Sequence, residues 1–267
     1  MEEITAPDFV MAVEKSSKTC ILPVGVLEKH GPHLPLGTDV YLAREYALRA
    51  SKQDYTVVFP MYYFSQINEA RHQPGTVAYS PKLIWEILQE TLDELNRNGF
   101  EKIIIVNGHG GNNSFLNFFG MAQLNEPRKY ALYLFQPKGN AEVARKVEEL
   151  TQVDKYDSHA GNSETSSMVA AQPNLTHPER ASKQSGVDID RMKHLDYLYS
   201  GIWWYASYPN HYGGDGSKAN AEAGELLINE RVKQLVEMIK MVKADTSVTD
   251  LQNQFFREAE NPLKTKQ

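Results

Sequence analysis

"KIIIVNGHGGNN" (residues 102–113) is the stretch whose reading decides the fold. Ile103, Ile104, Ile105 and Val106 follow one another without polar alternation, which predicts a strand covered on both faces. Asn107, Gly108, His109, Gly110 and Gly111 then turn the chain into a helical pattern, "NSFLNFFGMAQLN" (113–125). Three further runs read as strands in the same way: "TCILPVG" (19–25), "YTVVFP" (55–60) and "KYALYLF" (129–135). Between them lie the helical patterns "DVYLAREYALRAS" (39–51) and "SPKLIWEILQETLDELNRNG" (80–99). In the latter Ser80 suits the N-cap, Pro81 the first turn and Gly99 the C-terminal cap. Leu83, Ile84, Ile87, Leu88, Leu92 and Leu95 form its apolar stripe.

Strands alternating with helices imply right-handed crossovers and an α/β class. The expectation is a layered α/β/α single domain with a mainly parallel sheet over residues 1–244. Residues 174–218, rich in turn formers and aromatics, read as an irregular insertion over the active face. A last helix is expected over about 219–243 and a polar tail over 245–267.

Of 267 residues, 41% are hydrophobic and 23% charged, as in ordinary globular chains. A net charge of −6 argues against a nucleic-acid partner, which asks for a basic face. "MEEITAPDFV" is acidic where a signal peptide is basic, and no apolar run approaches a membrane span. The one cysteine, Cys20, suits a reducing cytoplasm.

In an open α/β sheet ligands bind where strand ends turn into helices. "GVLEKHGPHLPLGTDVYLA" (25–43) is such a place and gathers Glu28, His30, His33 and Asp39. The loop at 107–113 adds His109, and "SHAGNSETSSMVAA" (158–171) adds His159 and Glu164 before a helical run. Imidazoles and carboxylates without a cysteine pair suit Zn, Mn or Fe. Taken singly each loop has a plainer explanation. The first could be a polar surface loop and the second a turn, while in the third Ser163 could cap a helix with Glu164 in its first turn. A phosphate loop does not fit, because "GHGGNN" lacks the third glycine and no Walker lysine follows.

"PVGVLEKHGPHLPLGTD", "VNGHGGNN" and "HAGNSETS", in that order, resemble the creatininase (creatinine amidohydrolase) family. "HQPGTVAYSP" (72–81) and "NHYGGDGSKANAEAGE" (210–225) resemble its further segments, so that the likeness spans roughly residues 20–230. The resemblance implies a hydrolase of non-peptide C–N bonds with two divalent metal ions whose shared hydroxide attacks the carbonyl of a small cyclic amide, formamide or lactone-like substrate. It also implies a homo-oligomer, often a hexamer. By the same resemblance Glu28, His30, Asp39 and His109 are metal ligands, with Asp39 bridging. His159 is the proton shuttle to the leaving nitrogen, and His33 orients a ligand. Creatinine-hydrolysing members carry a glutamate where this chain has Gly111, and Glu164 is the expected replacement. They also close a tryptophan over the substrate at a position held here by Lys155, followed by Tyr156. Ser65, Gly110, Asn112, Trp203 and Trp204 are expected to contact the substrate, the two tryptophans alternatively packing the insertion against the core or a neighbouring subunit. Arg71 and His72 are unusual in their segment, and an arginine there could meet a carboxylate or phosphate. The alternative, from a different class, is an inactive family member serving as a binding or assembly subunit.

Overall fold

Apolar runs on both faces of each strand need two layers of helices, and they have them. The computed structural model describes residues 1–152, 157–195 and 197–265. Strands β1 (Thr19–Val24), β2 (Val57–Val58), β3 (Lys102–Asn107) and β4 (Ala131–Phe135) pair in the order β2–β1–β3–β4, all parallel. The helices are α1 (Ala6–Lys15), α2 (Thr38–Gln53), α3 (Pro81–Arg97), α4 (Asn113–Ala122) and α5 (Ala141–Thr151). They continue with α6 (Asn162–Ala171), α7 (Trp203–Ser207), α8 (Ala221–Ala244) and α9 (Ser247–Ala259).

Successive strand residues point to opposite faces, so each strand feeds two cores. Cys20, Leu22, Val24, Ile103 and Ile105 pack under Leu88 and Leu92 of α3 and Leu116 and Phe119 of α4. Ile21, Ile104 and Val106 pack on the other side against Ala43 and Ala47 of α2 and Ile228, Val232 and Leu235 of α8. The α/β/α layering expected from the sequence is present. Ser80 caps α3 by accepting from the Leu83 N–H, and Gly99 follows its C-cap at φ +102°.

The structure differs from the sequence reading at several places. The second strand shrinks to Val57–Val58, and α1 and α5 lie where no helix is expected. Residues 245–267 carry α9, a helix that buries none of its residues. Residues 174–218 hold short 3₁₀ turns and the five-residue α7, and return to the sheet end where Gly213 and His159 exchange backbone hydrogen bonds at 2.9 and 3.0 Å. Lys155 and Tyr156 lie outside the described residues. No described helix is long and apolar enough to cross a membrane.

Two glycines set where the functional loops meet the sheet. A Cβ on Gly25 would lie 2.6 Å from the Val40 nitrogen, and one on Gly108 would lie 2.1 Å from the Asp39 carbonyl oxygen. The ends of β1 and β3 therefore touch the first turn of α2 directly, and only glycine allows it. Gly108→Ala is expected to cost about 1–3 kcal/mol, as overpacking does. Gly110→Ala meets nothing within 4 Å and should stay within about 0.5 kcal/mol. Denaturant midpoints of the two variants measure the difference.

Candidate metal centre

Asp39 sits in the first turn of α2 and is 1% exposed. The positive end of the helix dipole favours its carboxylate there. Its two oxygens face different ways. Oδ1 is 3.0 Å from His30 Nε2, and Oδ2 is 3.4 Å from His109 Nδ1. His30 Nδ1 donates to the Glu28 carbonyl at 3.2 Å, so that Nε2 points inward. Around that nitrogen also stand Glu164 Oε1 at 3.7 Å and Glu28 Oε1 at 3.9 Å. Glu28 Oε1 in turn lies 2.7 Å from His109 Nδ1.

Burial opposes charge on the imidazoles of His30 and His109, but the surrounding carboxylates outweigh it and hold both well above the usual histidine range. Burial likewise pushes Glu28 up, while His30 and His109 outweigh it at Asp39 and hold that carboxyl down. The cluster as a whole thus demands positive charge. Glu28 Oε1 and Asp39 Oδ2 are buried and without a well-directed hydrogen-bond donor among the described residues, a costly arrangement for anionic oxygens. The residues therefore fit divalent cations. Ligand atoms of Glu28, Asp39 and His109 lie within 4.8 Å of one another, as do those of His30, His159 and Glu164.

Glu28, His159 and His211 meet the same distance limit, but hydrogen-bond direction excludes His211 as a ligand through Nε2. Trp204 Nε1 donates to His211 Nδ1 at 2.7 Å, and an indole N–H can only donate. Burial keeps the His211 imidazole neutral, its pKa pushed down to about 3. Its one proton is consequently on Nε2, where it is donated to Glu28 Oε2. Trp204 and His211 thereby hold Glu28 with Oε1 turned to His109.

Glu164 divides its carboxylate. Oε2 accepts from the Ala160 backbone N–H at 2.6 Å, while Oε1 faces His30. His159 donates from Nε2 to the Lys29 carbonyl at 2.9 Å, and burial pushes its pKa down to about 4. Its ring lies 4.4 Å from His30 and 4.5 Å from His211, centroid to centroid. His33 stands behind the cluster: its Nε2 donates at 2.8 Å to Thr165, whose hydroxyl donates to the Ala160 carbonyl.

A cavity of about 250 Å³ opens over the cluster, lined in part by Gly110, Gly111, Ser158, Trp203 and Trp204. Trp204 is 9% exposed and tied to His211, whereas Trp203 is 44% exposed at the rim. Ser65 and Asn112, expected to meet substrate, are buried and bonded to each other at 2.7 Å. They lace the loop after β2 to the loop after β3. Arg71 lines an adjoining chamber of about 750 Å³, and His72 donates to the Pro209 carbonyl at 2.8 Å. Sequence reasoning gave no part to Glu69, whose Oε1 is 3.3 Å from His109 Nε2. Nor did it see His211 as the support of Glu28.

The fold has known counterparts. A family profile described as creatinine amidohydrolase matches residues 2–239. The chain is 27% identical over 119 residues to the creatinine amidohydrolase of Pseudomonas putida, a match covering 43% of this chain and 46%, under half, of that enzyme. It is 25% identical over 249 residues to the 3-dehydro-scyllo-inosose hydrolase of Thermotoga maritima, covering 86% and 78% of the two chains. A crystal structure of creatinine amidohydrolase superposes with a TM-score of 0.78 at 22% identity, over 92% of this chain and 98% of that one, which is a likeness of fold.

His33 offers a test by pH. Burial pushes its pKa down to about 4, against the ordinary 6.5. Above pH 6.5 neither the folded nor the unfolded state protonates it. As pH falls from 6.5 toward 4 the unfolded state takes the proton first, so stability is lost through that window. One such histidine is worth about 2 kcal/mol at pH 5. Denaturant unfolding at pH 7.5 and pH 5 should show a smaller acid loss for His33→Gln than for the parent. The comparison cancels the other histidines, and equal losses would contradict it.

Proposed function

Because the chain belongs to the creatininase family of creatinine amidohydrolases, we propose that it is a metal-dependent hydrolase with its chemistry at the Asp39 cluster. In this reading Glu28, His30, Asp39, His109 and Glu164 hold two divalent cations. The observation that carries it is the division of Asp39, whose Oδ1 turns to His30 and Oδ2 to His109. A carboxylate so placed is suited to bridging two ions. Solved creatininases of the same fold include forms described as Zn-Zn and Mn, which favours Zn or Mn here. When bound, such a pair supplies an acidified water and polarises the carbonyl of the substrate.

The protein side of the reaction falls to His159. With Nε2 fixed on the Lys29 carbonyl, it has only Nδ1 free to take up a proton. Burial keeps it neutral near pH 7, so that Nδ1 is open to the proton of the attacking water. The same proton is then delivered to the leaving nitrogen, which departs poorly without it. The cavity of about 250 Å³ suits a small cyclic amide, formamide or lactone-like group, and the adjoining chamber leaves room for the remainder of the molecule. We place this activity in a homo-oligomer in the cytoplasm, in keeping with the buried free thiol of Cys20 and with apolar side chains left exposed, among them Phe118 and Met121.

Asp39→Ala should abolish metal uptake at both positions together, as read by metal analysis. Asp39→Asn should lower hydrolysis at least about a hundredfold. Glu164→Gln should weaken one ion selectively, and a fully active Asp39→Ala protein overturns the two-metal reading. His159→Ala should keep both metals and lose about 10²–10⁴ in kcat on an amide. A lactone, with its better leaving oxygen, should lose less. A screen of cyclic amides, formamides and lactones with metal-loaded protein identifies the substrate, and if the His159 variant instead sheds a metal, that histidine is a ligand.

A further inference from the structure

We propose that Glu69 is the positioning residue of His109: its carboxylate is the acceptor toward which that imidazole turns its Nε2–H, which leaves Nδ1 facing the metal pocket. It reaches the ring through the space that Gly111 leaves. The inference rests on the metal reading above.

The two nitrogens of His109 have unlike surroundings. Nδ1 faces Glu28 Oε1 at 2.7 Å and Asp39 Oδ2 at 3.4 Å, inside the ligand cluster. Nε2 faces away from it, toward Glu69 Oε1 at 3.3 Å. An imidazole that ligates through Nδ1 must carry its proton on Nε2, and a carboxylate there fixes both tautomer and ring angle. Nε2 is buried and makes no well-directed hydrogen bond among the described residues, and Glu69 Oε1 is the carboxylate oxygen within reach of it, so without Glu69 that N–H has nothing to turn to.

Residue 111 decides whether Glu69 can be there. A Cβ at Gly111 would lie 2.0 Å from Glu69 Oε1 and 2.4 Å from His109 Nε2. Any side chain at this position takes the place of the carboxylate. Creatinine-hydrolysing relatives are expected to carry a glutamate at that place, and here a carboxylate comes to the same spot from another loop. That loop is held in register. Gln66 Nε2 donates to Glu69 Oε2 at 2.8 Å and to the Gly111 carbonyl at 3.3 Å. Ser65 Oγ and the Gln66 backbone N–H both donate to Asn112 Oδ1, at 2.7 and 3.1 Å. The segment that carries Glu69 is thus tied to the segment that carries His109 by three hydrogen bonds, and Gln66 holds the carboxylate itself by a further one.

The test uses the full chain with Zn²⁺ as probe, its affinity read by chelator competition and folding checked by circular dichroism. Glu69→Ala is expected to weaken one zinc site by about 10–100-fold, the usual cost of removing the acceptor behind a ligating histidine. Glu69→Gln keeps an oxygen acceptor and should lose less. Gly111→Ala, although it removes no functional group, should lose about as much as Glu69→Ala. The double variant should lose no more than either single one, because both act on the same contact. In zinc-loaded protein the ¹⁵N-resolved His109 Nε2–H signal should shift in Glu69→Ala, which a merely structural role would not produce. Parental zinc affinity in a folded Glu69→Ala protein overturns this inference alone, as do additive losses in the double variant. A parent protein that takes up no zinc overturns the metal reading with it.

Discussion

Everything around the site follows from three carboxylates brought together, Glu28 and Asp39 fully buried and Glu164 half-buried beside them. Buried anions repel one another and lose their hydration, at a cost of several kcal/mol each unless positive charge meets them. The protein therefore fixes the oxygens and leaves them turned toward a common interior. Asp39 has the amino end of α2 behind it, Glu28 has His211, and Glu164 has the Ala160 N–H. Each carboxylate keeps one oxygen bound to the scaffold or to one side of the cluster and offers the other to the opposite side. Gly25 and Gly108 make this possible by letting two strand ends touch the backbone of Asp39 and Val40.

The fold was legible because β1 and β3 lie between two cores, so that every residue from Ile103 to Val106 is buried and the sequence shows no alternation. What escaped reading lies outside that rhythm. α1 precedes the first strand and α9 follows the last sheet-facing helix, where the strand–helix alternation gives no hint. The ligand candidates were legible because Glu28, His30 and Asp39 share one short stretch. Glu69 was not, since "FSQINEARH" contains no spacing that marks a site. Its meaning comes from a side chain missing at Gly111, on a different loop, and sequence order does not bring those two together. Ser65 and Asn112 lie in segments that could be picked out, but the hydrogen bond between them belongs to the fold and no spacing announces it.

Trp203 and Trp204 are a lesson in direction. Consecutive residues on one short helix, they differ in where the ring goes. Trp204 lies under the loop with its N–H on His211, and Trp203 reaches the rim. Because an indole N–H cannot accept, the one contact at Trp204 settles the tautomer of His211 and with it the orientation of Glu28. Trp204 lines the cavity and is at the same time a lever on the ligand set from behind.

The long reach of His211 has a consequence for how the molecule assembles. It is separated from Glu28 by 183 residues. Joining the two closes a loop of most of the chain, whose entropy the rest of the fold must offset. Glu28, His30 and Asp39 share one local segment, yet that segment alone does not fix Glu28, because the bond that orients it comes from across the chain. The arrangement of the cluster is therefore a property of the whole molecule, and a fragment holding only the first loop would carry the ligands without their geometry.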